Sequence, residues 1–107
     1  MYGFREIDAS QLKAWLDEGK EIQLVDVRTP AEMARGMIPG ATALPLTVLP
    51  MKAADLSKEK PVVFYCMSGG RSAQAAAFLA NQGYPEPVSL RGGITAWSRS
   101  GYPVAQG

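Results

Sequence analysis

Residues 62–83 read VVFYCMSGGRSAQAAAFLANQG. An apolar, β-branched run ends at Cys66, passes two glycines and Arg71, and becomes an alanine-rich stretch that stops at Gly83. A short apolar run of this kind reads as a buried strand, and the alanine-rich segment reads as a helix from about Arg71 to Asn81 with a glycine terminator. The joint between them is therefore the carboxyl end of a strand leading into a helix, where open α/β sheets place their ligands.

Working outward, the same two patterns recur. DASQLKAWLDEG (8–19) offers Asp8 or Ser10 as an N-cap, apolar Leu12, Trp15 and Leu16 at helical spacing, and a glycine stop. EIQLVDVR (21–28) is a strand ending in charge, and TPAEMARG (29–36) is a short helix with Thr29 as N-cap, Pro30 at the first helical position and Gly36 as terminator. ATALPL (41–46) reads as a short strand, LTVLPMKAADL (46–56) as a helix interrupted by Pro50, and PVSL (87–90) as a strand. RGGITAWSRSG (91–101) is a turn and a short helix, followed by an irregular tail. Alternating strands and helices predict an α/β domain with a largely parallel sheet. No repeat or linker interrupts it, and 107 residues fit one domain over 1–107.

Composition narrows the function. Apolar residues make up 47% and charged residues 20%, as in a globular protein. Eleven basic and ten acidic side chains give a net charge of +1 without a basic run, which argues against nucleic acid as a partner. No apolar stretch approaches membrane-spanning length and the N-terminus lacks a secretory pattern, so a cytoplasmic protein with no membrane association is expected. One cysteine and no histidine make a disulfide impossible within the chain and a structural metal site improbable. No cofactor is expected, and the size of the chain together with the lack of an obvious apolar surface stripe predicts a monomer.

A lone cysteine after a strand is ordinarily a small core residue. Here the surroundings are those of a nucleophile. Successive N–H groups of MSGGRS (67–72) can curl into an anion-binding nest, with Gly69 and Gly70 permitting the backbone angles, and the helix adds the positive end of its dipole. Such donors lower a cysteine pKa below its ordinary value of about 8.5. That supplies an activation which no imidazole in this chain can provide. Arg71 is placed either to close the loop on its own carbonyls or to contact an anionic substrate.

With these residues in place, the chain resembles the rhodanese family of sulfurtransferases, in its single-domain form. The resemblance is carried by LVDVRTPAEMARGMIPGA (24–41), VVFYCMSGGRS (62–72), VSLRGGITAW (88–97) and GYPV (101–104), which span nearly the whole chain. It implies a rhodanese-like α/β fold, a central mostly parallel five-stranded sheet flanked by helices on both faces. It further implies that Cys66 accepts a sulfane sulfur, becomes a persulfide and passes the sulfur on. Met67, Ser68, Gly69, Gly70 and Ser72 would form the N–H cradle and Arg71 would close it. The activity implied is of the thiosulfate:cyanide sulfurtransferase type, with thiosulfate or a persulfide as donor and cyanide or a thiol, including a protein thiol, as acceptor.

Two positions depart from the family pattern. Met37 stands where histidine is common, outside the cradle, and is expected to have a structural or rim effect. Met67 replaces a commonly basic or polar residue, which weakens the case for a dianionic donor and favours a low-molecular-weight persulfide.

Other residues invite functional readings. Asp26 and Arg28 are read as an ion pair, or Arg28 with Glu32 four residues on, supporting the strand end beside the cradle and not reacting themselves. Gly92 and Gly93 form a tight turn close to the site, with Arg91 on its rim. Trp15 and Trp97 are read as core aromatics. Ala73, Ala76, Ala77 and Ala80 are the face by which the helix packs on the sheet. Two rival functions remain: a rhodanese-like cysteine phosphatase or arsenate reductase, whose loop would need five residues between cysteine and arginine where this chain has four, and a sulfur-relay or binding module acting on a protein partner.

Overall fold

The computed structural model describes residues 3–106. Five strands, β1 (Arg5–Ile7), β2 (Gln23–Asp26), β3 (Thr42–Ala43), β4 (Val62–Tyr65) and β5 (Val88–Leu90), form one sheet in the order β1-β5-β4-β2-β3. Every strand pair is parallel. The helices are α1 (Ala9–Asp17), α2 (Pro30–Met33), α3 (Leu49–Lys52) with a 3-10 turn at Ala53–Asp55, α4 (Gly70–Asn81) and α5 (Gly93–Arg99).

Local chemistry explains the boundaries. Asp8 caps α1 through a reciprocal capping box with Gln11, and Thr29 caps α2 in the same way with Glu32. β4 is buried along its whole length, as a strand covered on both faces must be. Its side chains alternate. Val62, Phe64 and Cys66 pack with Val25, Val27 and Leu49 against Ala75, Ala76 and Leu79 of α4, whereas Val63 and Tyr65 pack with Ile7, Leu24, Val88 and Leu90 against Leu12, Ile94 and Trp97 of α1 and α5. Each large apolar side chain so buried contributes about 1.5–3 kcal/mol. The two-sided core makes the sheet a rigid platform.

Three expectations are corrected. β1 has no counterpart among the strands read from the sequence: two of its three residues are charged and exposed, so no apolar run marks it. The buried face of α4 is Ser72, Ala75, Ala76 and Leu79, not the stripe Ala73, Ala76, Ala77 and Ala80. Leu79 has more surface to bury than any alanine and turns the helix toward itself. Both tryptophans belong to the core as expected: Trp97 is fully buried, and Trp15 packs against the core from its edge, half-buried beneath the cations of Arg5 and Lys20. The tail is also less irregular than expected, since Met37 and Ala105 exchange two backbone hydrogen bonds in an isolated antiparallel bridge.

The topology fixes where a ligand belongs. From β2 the chain continues to β3 at one edge, and from β4 it continues to β5 on the other side. The carboxyl ends of β2 and β4 therefore flank the point where the connections diverge, the usual crevice of a parallel sheet.

Candidate active site

Cys66 follows β4 directly and is only 1% exposed. The next residues, Met67 and Ser68, are exposed, so the loop that wraps the sulfur faces solvent on its outer side. Gly69 takes φ of +125°, a conformation that L side chains rarely adopt, and this turns its N–H inward. The Gly69 N–H donates to Cys66 Sγ at 3.0 Å and the Ser72 N–H donates at 3.4 Å. Ser72 Oγ lies 3.6 Å from Sγ.

The outward-facing atoms of the same loop are held by α5. The N–H of Ile94 donates to the Cys66 carbonyl at 2.9 Å and that of Thr95 to the Met67 carbonyl at 3.1 Å. This approach requires Gly93, whose φ is +57° and where a Cβ would stand 2.5 Å from the Met67 carbonyl oxygen. With the carbonyls committed outward, the N–H groups are left to face the sulfur.

Burial pushes the Cys66 thiol up, but the N–H and hydroxyl of Ser72 and the N–H groups of Gly69 and Ser68 outweigh it and hold the pKa below the ordinary thiol value. Of the six residues expected in the cradle, Ser68, Gly69 and Ser72 act on the sulfur in this way. The N–H groups of Gly70 and Arg71 belong to the first turn of α4, where helix geometry gives them no intrahelical partner. Met67 contributes its carbonyl to α5 and its side chain to the surface.

Arg71 does not close the loop on its carbonyls. Its guanidinium forms a two-pronged pair with the Glu32 carboxylate of α2, at 2.7 and 2.9 Å. The pairing draws the Glu32 carboxyl down to about 2, chiefly through the Arg71 hydrogen bonds and then through the Thr29 N–H. Arg28 makes no bond to that carboxylate. Its guanidinium grips Asp26 at 2.7 Å and the Gly36 carbonyl at 2.6 Å, with Asp26 and Arg28 0% and 3% exposed. Four-residue spacing misleads here because Arg28 precedes the helix, which begins at Pro30.

Arg91 is likewise turned from the cradle. It is exposed and lies 3.5 Å from Glu6 of the edge strand β1. A shallow groove of about 350 Å³ adjoins the loop, with Met67, Ile94 and Val104 as its apolar lining and Arg28, Arg35 and Arg99 among its walls. Among the described residues no group of three or more metal-ligating side chains occurs, and no helix is long and apolar enough to cross a membrane.

Ser89 was not anticipated. It lies on β5, fully buried, with its Oγ 2.8 Å from that of Ser72. A serine within a short strand gives no sequence signal of a partner on another element.

The chain is similar to known proteins along most of its length. A "Sulfurtransferase" of Allochromatium vinosum is 48% identical over 99 residues, covering 92% of each chain. "Thiosulfate sulfurtransferase GlpE" of Stutzerimonas stutzeri is 40% identical over 105 residues, covering 96% of this chain and 92% of that protein. The crystal structure of a rhodanese-related protein from Thermoplasma volcanium, 33% identical, superimposes with a TM-score of 0.88 over 97% of this chain and 100% of that one. The family model for the rhodanese-like domain matches residues 8–100, covering both the strand that ends at Asp26 and the Cys66 loop, and the chain belongs to that family.

Proposed function

We propose that the protein transfers a sulfane sulfur through a persulfide on Cys66. The single observation that carries this reading is the convergence of the Gly69 and Ser72 N–H groups on one sulfur at the carboxyl end of β4. A thiolate held there attacks the outer sulfur of a donor. One S–S bond forms at Cys66 Sγ, and the donor's own bond to that sulfur breaks, its electron pair leaving with the remainder of the donor, sulfite in the case of thiosulfate. The acceptor, cyanide or a thiol, then attacks the outer sulfur of Cys66–S–S⁻ and the thiolate is regenerated. Neither step needs a general base if the thiol is already ionised, which suits a chain without histidine. The first-turn N–H groups of Gly70 and Arg71 are the donors available to the added sulfur.

The surroundings favour a persulfide over thiosulfate as donor. Arg71 is engaged by Glu32 and the residue after the nucleophile is an apolar methionine, so the loop itself offers a compact dianion no free cation; Arg35 and Arg99, which form no ion pair among the described residues, stand on the walls of the adjoining groove. The engagement of Arg71 also weighs against phosphoryl chemistry, which needs an arginine for the oxyanion. A protein thiol as acceptor is compatible with the same cycle. The test is mass spectrometry of the protein after incubation with thiosulfate or glutathione persulfide, then after cyanide. One sulfur gained on the Cys66 peptide, removed by cyanide and absent in Cys66→Ser, is the expected result. No gain from either donor would sink the reading.

A further inference from the structure

The hydrogen bonds around the nucleophile extend to an element with no residue in the loop. Ser89 is the middle residue of β5, and strand alternation sends it to the face opposite Val88 and Leu90, toward α4. Its Oγ is 2.8 Å from Ser72 Oγ, the single side-chain hydrogen bond it makes among the described residues. Ser72 Oγ is also 3.1 Å from the Gly69 carbonyl and 3.6 Å from Cys66 Sγ.

Each hydroxyl has one proton to give and two lone pairs to receive. The Gly69 carbonyl only accepts, and the buried Ser89 proton has one acceptor within reach. Either oxygen could donate across the Ser72–Ser89 contact, and one assignment satisfies every group. Ser89 gives its proton to Ser72 Oγ, and Ser72 gives its own to the Gly69 carbonyl while Cys66 is a thiol. When the thiol proton leaves to water, the Ser72 hydroxyl swings to the sulfur, and Ser89 continues to donate to Ser72.

We propose that Ser89 is a positioning residue for the nucleophile, holding the Ser72 hydroxyl as a donor to the Cys66 thiolate and strengthening that bond by polarising it. No proton passes from Ser89 to the sulfur. The charged groups around the site are Arg71 of α4, paired with Glu32 of α2, the Asp26–Arg28 pair at the end of β2, and Arg35 and Arg99 on the walls of the adjoining groove. Removing the Ser89 hydroxyl leaves all six charges in place.

The proposal rests on Cys66 being the nucleophile, but its test does not depend on sulfur transfer. Cys66 is the only cysteine, so the rate of alkylation by iodoacetamide against pH reports its ionisation alone. Below the wild-type midpoint, Ser72→Ala is expected to slow alkylation about tenfold and Ser89→Ala about threefold, with the limiting rate at high pH preserved in both. The double variant should match Ser72→Ala, and Ser89→Thr, which keeps the hydroxyl, should restore the wild-type profile. Circular dichroism and melting confirm that each variant is folded. A Ser89→Ala profile that overlays wild type, an undiminished effect of Ser89→Ala in the Ser72→Ala background, or a Ser89→Thr profile like that of alanine would overturn the proposal. Failure of Cys66 to load sulfur would instead remove the transfer reading and leave this titration standing.

Discussion

The carboxyl ends of β2 and β4 lie side by side, Asp26 in register with Tyr65, yet the two corners are finished in opposite ways. Beyond β2, Asp26 and Arg28 neutralise one another, Arg28 fills its remaining donors with carbonyls, and both side chains are sealed from water. Beyond β4 stands one small thiol, with the backbone carbonyls pulled away by α5 and the N–H groups left pointing at the sulfur. The corner that carries the charges has committed them to one another. The corner without charged side chains on its reactive atom is the one that can change state. Among the described residues every buried side-chain nitrogen and oxygen has a hydrogen-bond partner, so the proposed reactivity at Cys66 rests on the direction of those bonds and not on an unsatisfied group.

The contrast breaks most visibly in activity. Cys66→Ser should abolish persulfide formation while leaving the melting temperature near wild type, since a hydroxyl fits the same small site and the same donors; intact mass and thermal melting read the two effects separately. Asp26→Ala should do the reverse. Leaving the Arg28 guanidinium buried and unpaired costs about 3–5 kcal/mol, which denaturant unfolding would record as a large loss of stability. At a temperature where the variant remains folded, Cys66 should still alkylate with a near-normal pH profile.

Gly93→Ala joins the two kinds of failure. A Cβ would collide with the Met67 carbonyl at a backbone angle already unfavourable to alanine, so the loop must shift. A displacement of about 1 Å at a reacting centre costs roughly 10²-fold in rate. Steady-state sulfur transfer should fall by about that factor, with a smaller loss of stability.

The finest probe is the Glu32–Arg71 pair, which links α2 to the helix that begins at the loop. The folded Glu32 carboxyl is depressed to about 2 from an unfolded value near 4.5. Its stabilisation is therefore fully present above the unfolded value and is lost as pH falls through the window between them. Glu32→Gln should cost about 1 kcal/mol or less at neutral pH, because the pair is partly exposed. The difference from wild type should shrink steadily in unfolding curves measured from pH 4.5 downward and vanish below about pH 2.

Much of this was legible in the residues. The Cys66 corner is visible because strand, glycine pair and helix start occur in an unbroken stretch, and the core strands because β-branched runs announce burial. What the sequence concealed depends on partners far apart in the chain. Glu32 meets Arg71 across 39 positions, while the nearer arginine at 28 lies outside the helix. Ser89 finds Ser72 only because β5 lies beside β4 in the sheet. β1 is short and charged, and it is recognisable only from the strand it pairs with.

Central to the account is the claim that backbone and hydroxyl donors ionise Cys66 without a base. The most direct measurement is the thiolate absorbance near 240 nm against pH in the wild-type protein, with Cys66→Ser as blank. A single transition below the ordinary thiol value of about 8.5 is the expected result. A transition at or above that value would contradict the account, because burial would then outweigh the cradle.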